Sequence, residues 1–318
     1  MIRLPKNIRP SHYDITMTPN LETFTFSGKS QINITISKTT EHILLNAAEI
    51  TITSAGIKSK ESDDDALCAI KMDDSSEIAT LEFKKPLNSG NYVLSLEYTG
   101  ILNDQLRGFY RSQYADPSGT TQHIAATQFE STDARRAFPC WDEPSMKATF
   151  ALTLIIPNKL TGISNTLVKE ERQIENDKKV LKFETTPIMS TYLLMFVVGD
   201  FECVQSQVPN GPIVRVWATK GKGKQGQFAL ENSIRLLKYM NDYFKIPYPL
   251  AKLDHIALPD FAAGAMENWG AITYREVALL HDAKNSSAAA RQRIVEIIAH
   301  EMAHMWFGDL VTMEWWDD

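Results

Sequence analysis

The chain has 318 residues, 43% of them hydrophobic and 23% charged, with a formal net charge of -6 at pH 7. That leaves room for two domains of ordinary size with a composition usual for globular proteins in water. The negative balance without a basic block argues against nucleic acid as a partner, and no apolar run approaches the ~18 residues of a membrane span.

Residues 1–6 lead into polar sequence with no apolar h-region, and Cys68, Cys140 and Cys203 are odd in number and widely spaced. Both features favour reduced thiols in a cytoplasmic protein over a secreted disulfide framework.

The first two hundred residues read as β. Polar and apolar residues alternate through Thr25–Ile36, which places Ile32, Ile34 and Ile36 on one strand face. Residues 42–45, 49–53, 78–83, 92–98, 149–156, 180–185 and 189–198 read as further strands. Ser62-Asp63-Asp64-Asp65 is expected to be a solvated loop, since adjacent carboxylates do not converge on a metal without a defined loop. Repeated short strands suggest a sandwich or an open, curved sheet. The run Thr127 to Pro144 mixes bulky residues with charges of both signs. Within it, residues 138–144 suit a plug at a domain interface, and Gln128 and Glu130, two apart on an extended strand, would line one pocket wall.

The sequence turns polar near 205–211, which places a domain boundary at 206/207. A strand is expected at 213–218, a helix over Gln227–Phe244 with Leu230, Ile234, Leu237 and Met240 at helical spacing, and a strand at 253–258. The Lys220-Gly221-Lys222-Gly223-Lys224 loop lacks the ending of a phosphate loop. Gly264-Ala265-Met266-Glu267-Asn268 precedes a strand at 271–274, where an extended peptide would pair with a free edge and meet Glu267.

His300-Glu301-Met302-Ala303-His304 follows. Residues four apart on a helix share a face, so both imidazoles aim at one point with Glu301 beside it. Two neutral imidazoles suit zinc, and a neighbouring carboxylate can take a proton from metal-activated water. Ser286 and Ser287 offer caps, and Gly308 is placed to end the helix. A histidine on an apolar helix is more often a satisfied core residue than a ligand, so the motif needs support from elsewhere.

That support is a resemblance. The Gly-x-Met-Glu-Asn run, the His-Glu-x-x-His motif thirty-odd residues later, Thr127-Gln128-Phe129-Glu130, the stretch 133–144 and residues 306–313 resemble the M1 zinc aminopeptidases (gluzincins), especially the puromycin-sensitive branch. The resemblance implies an α+β protein. An N-terminal antiparallel β sandwich or saddle domain occupies 1–206, and the first part of a thermolysin-like zinc peptidase domain occupies 207–318. It implies one zinc held by His300 and His304, and Glu301 as general base. Glu267 and Glu130 would contact the free α-amine of a peptide substrate. Gln128 would line the first side-chain pocket, and Gly264, Ala265, Met266 and Asn268 would bind the substrate backbone. Partners would be peptides with a free N-terminus; oligomeric state stays open.

The resemblance also implies a third zinc ligand, a Glu about nineteen residues past His304, and an oxyanion-stabilising tyrosine further on. Both fall beyond Asp318. The expectation is therefore a fragment of a full aminopeptidase that is inactive alone, with a non-catalytic peptide-binding fragment as the alternative. Epoxide hydrolysis, a relative's activity, is disfavoured by Ala265 at the second motif position.

Overall fold

The computed structural model describes residues 2–60 and 65–318. The chain is α+β, with most strands ahead of residue 220 and the two long helices after it. The largest sheet has eight strands in the spatial order Val168–Ile174, Lys178–Phe183, Thr149–Pro157, Ile8–Asn20, Thr25–Ile36, Gly90–Ile101, Ile50–Ser59, Asp65–Leu67. Neighbours are antiparallel except Ile8–Asn20 with Thr149–Pro157, which run parallel with His12 opposite Thr149. Thr25–Ile36 buries every second side chain, as its alternation demands. Residues 62–64 of the expected acidic loop lie outside the described residues, and Asp65 opens a short strand.

A three-stranded sheet (Thr40–Asn46, Ile78–Leu87, Ala69–Asp73) and a four-stranded one (Thr161–Ser164, Phe196–Gly199, Thr121–Gln128, Gly108–Ala115) complete the β-rich unit. Phe26 joins the eight-stranded sheet to the four-stranded one, 5.2 Å from Phe109 between ring centroids, and Phe109 continues the contact within its own sheet to Phe196 at 4.8 Å. Residues 189–198 do not form one strand. A 3-10 turn at Thr191–Leu193 precedes Phe196–Gly199, because Ser190 Oγ donates to Pro144 O (2.7 Å) and Thr191 Oγ1 to Trp141 O (3.1 Å). Residues 138–144 therefore pack inside the β-rich unit, not as the expected plug between domains, with Trp141 N–H donating to the Tyr13 hydroxyl at 3.3 Å. Phe138 and Trp141 are buried, each worth about 1.5–3 kcal/mol of apolar burial.

The second unit is built on a five-stranded sheet ordered Phe201–Gln207, Ile213–Thr219, Lys252–Leu258, Ala271–Arg275, Ala265–Met266. Its first strand lies ahead of residue 207, so the sheet takes in residues assigned from sequence to the other side of the 206/207 boundary. The interior pairs are parallel and the two outer pairs antiparallel. Gln227–Phe244 forms the expected helix, buries Ala229, Leu230, Leu237 and Met240, and ends on Lys245 in the left-handed conformation. It packs on the helix Ala288–His304. Among the described residues, no helix is long and apolar enough to cross a membrane.

Candidate active site

The helix Ala288–His304 carries the His-Glu-x-x-His motif. Ser287 caps its start, its side chain accepting from Ala290 N–H at 3.1 Å. Ile294, Ile298 and Met302 fasten one face to the core, which turns Glu301 and both histidines toward a cleft. His304 Nδ1 lies 2.9 Å from Phe307 O. A carbonyl only accepts, so Nδ1 carries the proton and Nε2 presents a lone pair. His300 Nε2 lies 3.2 Å from His304 Nε2. Two nitrogens bound at ~2.0–2.1 Å to a tetrahedral ion stand roughly 3.3 Å apart, so the pair fits a divalent ion of zinc's kind. The backbone carbonyl behind His304 is the usual outer partner of a metal-bound histidine.

The turn at 268–270 aims Glu267 at the same point. Gly270 has φ +80°, and a Cβ there would sit 2.5 Å from Asn165 O, so only glycine fits. Asn165 Nδ2 donates to Trp269 O (2.9 Å), which pins the turn to the β-rich unit, and buried Lys252 Nζ on the neighbouring strand of its own sheet donates to Gly270 O (2.8 Å). Carboxylate oxygens of Glu267 and Glu301 and a ring nitrogen of His304 all lie within 4.8 Å of one another. Glu130 joins this group from the β-rich unit, close enough to be influenced electrostatically by Glu267 and His304.

The electrostatics follow from this crowding. Burial, then Glu267 and Glu130, push the Glu301 carboxyl up to about 8. Glu130 sits at the exposed rim, yet partial desolvation and Glu267 raise it to about 7, with His304 opposing. Asp309, fully buried behind the site, is raised well above the usual carboxylate range by burial and by Glu267 and Glu301. Among the described residues, neither of its carboxylate oxygens has a hydrogen-bond partner, and Lys147 donates to its backbone oxygen at 3.3 Å instead. Among the described residues, none of these four carboxylates pairs with Lys or Arg. Lys147 acts on Asp309 from behind, while Glu130, Glu267 and Glu301 face one another with no Lys or Arg paired to them among the described residues, a site complementary to incoming positive charge.

Other residues singled out from sequence stand differently. Asn268 does not face the cleft. Its Nδ2 donates to Thr273 Oγ1 at 3.0 Å, and it is 1% exposed, so it braces the turn. The Met266 side chain is buried in the core, which leaves only its backbone for a ligand. The free sheet edge belongs to Ala265–Met266, not to Ala271–Arg275, which is paired on both sides. A Cβ on Gly264 would meet nothing within 4 Å, so the space beside it is open. The strand carrying Gln128 stops there, and Glu130 lies in the turn beyond it; strand alternation therefore does not relate the two. Gln128 is buried with Oε1 unpartnered. Asp309 was not anticipated. Its only signal was an acid in the otherwise apolar run of residues 305–311.

Residues 9–193 match the Peptidase M1 N-terminal domain and residues 228–318 the Peptidase family M1 domain. The chain belongs to peptidase family M1. It is 47% identical over 317 residues to Aminopeptidase M1 of Arabidopsis thaliana, covering 99% of this chain and 36% of that protein. It is 43% identical over 317 residues to Puromycin-sensitive aminopeptidase of Caenorhabditis elegans, covering 99% and 33%. Against Alanine/arginine aminopeptidase of Saccharomyces cerevisiae the identity is 46% over 319 residues, with 99% and 36% covered. The chain spans about a third of the length of these relatives.

Proposed function

We propose that this cleft belongs to a zinc aminopeptidase that takes peptides by their free N-terminus and cleaves the first peptide bond, in a cytoplasmic setting. The observation that carries the reading is the meeting of Glu267 and Glu301 with the His304 imidazole within 4.8 Å of one another, beside a free strand edge and with Glu130 in electrostatic reach. His300 and His304 would hold the metal, with the Nε2 atoms 3.2 Å apart in the metal-free arrangement. Bound zinc supplies Lewis acidity to the scissile carbonyl and stabilises charge that develops on its oxygen.

The protein's own groups do the rest. Glu267 and Glu130 face the substrate's ammonium, so an internal peptide bond, which brings no charge, leaves both carboxylates unpaired. The backbone of Gly264, Ala265 and Met266 offers edge hydrogen bonds that lay the peptide along the cleft. Glu301 takes the proton from the attacking water and returns it to the leaving amine.

The test is turnover of an aminoacyl fluorogenic substrate by a zinc-loaded protein in which this chain is extended to the length of its relatives, and by its Glu301→Gln variant. The expected loss is at least about a hundredfold, with zinc content unchanged in native mass spectrometry. Binding of free N-terminal peptides with no metal-dependent turnover in either protein would favour the non-catalytic binding fragment instead.

A further inference from the structure

The two amine-facing carboxylates come from different units, separated by 137 residues between Glu130 and Glu267. Something must set their spacing, and Asp260 stands where that is done. It opens the loop between the strand Lys252–Leu258 and the edge strand Ala265–Met266, ahead of Glu267. Four hydrogen bonds tie it to one strand of the β-rich unit, Gly108–Ala115. Ser112 Oγ donates to Asp260 Oδ2 at 2.8 Å, and Gln113 N–H to the same oxygen at 3.2 Å. Asp260 N–H donates to Ser112 Oγ at 3.1 Å, and the Tyr110 hydroxyl to Asp260 O at 2.9 Å.

The holding strand is also the hairpin partner of Thr121–Gln128, with Ser112 opposite Ile124 and Gly108 opposite Gln128. Glu130 lies two residues past the end of that strand. One hairpin therefore grips the start of the Glu267 loop at its middle and carries Glu130 beyond its end. The far side of the loop is clipped by Arg275. Its guanidinium donates to Phe261 O at 2.9 and 3.1 Å and to Ala262 O at 2.7 Å, and its N–H donates to Gly264 O at 3.0 Å. Only the stretch 262–264 is left exposed between the two anchors.

Resting on the aminopeptidase reading above, we infer that Asp260 is a positioning residue for recognition of the substrate's amine. By fixing the Glu267 loop to the hairpin that leads to Glu130, it holds both carboxylates at the separation one ammonium can bridge. Asp260 itself does not touch substrate. A carboxylate suits the role because one oxygen accepts from a hydroxyl and a backbone N–H together, and charge-assisted bonds of this kind are roughly twice as strong as neutral ones. An interface staple without this role would support all ligands equally.

The experiment measures, by calorimetry on the full 318-residue chain, binding of an alanyl tetrapeptide with an alkene isostere at its first bond and of its N-acetylated form. Thermal stability and zinc content are recorded alongside. Asp260→Ala is expected to shrink the preference for the free amine at least about tenfold while zinc content stays constant, and Asp260→Asn, which keeps the acceptor oxygen, to restore most of it. Equal weakening of both peptides by a folded Asp260→Ala would overturn the inference and leave a plain staple. If Asp260→Ala does not fold, Ser112→Ala decides: a reduced preference supports the assignment, an unchanged one overturns it. No preference in the unsubstituted chain would instead overturn the aminopeptidase reading beneath it.

Discussion

One stretch of chain, from Gln128 to Pro144, enters two electrostatic surroundings built on opposite terms. At its far end both arginines are answered by carboxylates. Arg135 pairs with Asp142 (3.0 Å) and Glu77 (3.0 Å), and Arg136 with Glu77 (2.7 Å), Asp133 (2.7 Å) and Glu49 (2.6 Å). At its near end Glu130 joins Glu267, Glu301 and Asp309, where no Lys or Arg pairs with the carboxylates among the described residues. Burial raises Asp142 to about 6 against the pull of Arg135, whereas in the cleft the neighbouring acids add to burial instead of opposing it. The first arrangement is what a fold needs to bury ions, and the second is what a site needs to receive one.

Substitutions should separate the two. The largest effect is expected in the balanced cluster. Arg135→Ala leaves Asp142, 1% exposed, without its cation and should cost about 3–5 kcal/mol in chemical denaturation, with no direct effect on amine recognition. A loss below about 1 kcal/mol would show that the network is as soft as a surface pair.

His255 gives an intermediate effect. It is fully buried, its Nδ1 lies 2.9 Å from the Tyr274 hydroxyl, and burial lowers its pKa to about 4. An unfolded imidazole titrates near 6.5, so between those values the unfolded chain holds a proton the folded chain refuses. Stability present above pH 6.5 is therefore lost as pH falls toward 4, by about 3 kcal/mol. In His255→Gln this slope should be missing; an identical slope would assign acid lability elsewhere.

The smallest effect has the opposite sign. The Glu301 carboxyl, raised to about 8, keeps its proton in the folded state where an unfolded Glu has lost it. The associated stability is complete below about 4.3 and is lost as pH rises through 8. Metal-free Glu301→Gln should thus match the parent chain near pH 4 and exceed it by about 1 kcal/mol at pH 9, discounted because the cleft opens to water. A variant less stable than its parent at pH 9 would mean that the acids in the cleft are compensated after all.

Local periodicity carried much of the fold. Thr25–Ile36 and Gln227–Phe244 follow directly from their apolar spacing. Ile8–Asn20 was not anticipated; it carries Pro10 and Pro19, a residue type that is rare inside strands. In the structure the register shifts between Pro10 and His12, so the strand absorbs the first proline at an irregularity. Val168–Ile174 was silent because nearly all its residues are exposed and no alternation marks it. At the site, His300 and His304 were legible because a helix fixes i and i+4 by itself. The meeting of Glu130 with Glu267 is a product of tertiary structure and leaves no trace in spacing; it entered through family resemblance. Asp260 was not singled out, since an aspartate after a proline reads as an ordinary turn residue.

The parallel pairing of Ile8–Asn20 with Thr149–Pro157 bears on how the chain reaches this structure. The hairpin partner Thr25–Ile36 is available almost at once, but the other edge of Ile8–Asn20 finds its mate only after a loop of well over a hundred residues closes. Closure entropy grows only slowly with loop length, so the stability cost is modest, while non-local pairing slows the search. During synthesis an open strand edge therefore waits in the middle of the future eight-stranded sheet. In that interval the edge is open to pairing with other chains, and the late-arriving strand Thr149–Pro157 is the one that closes it.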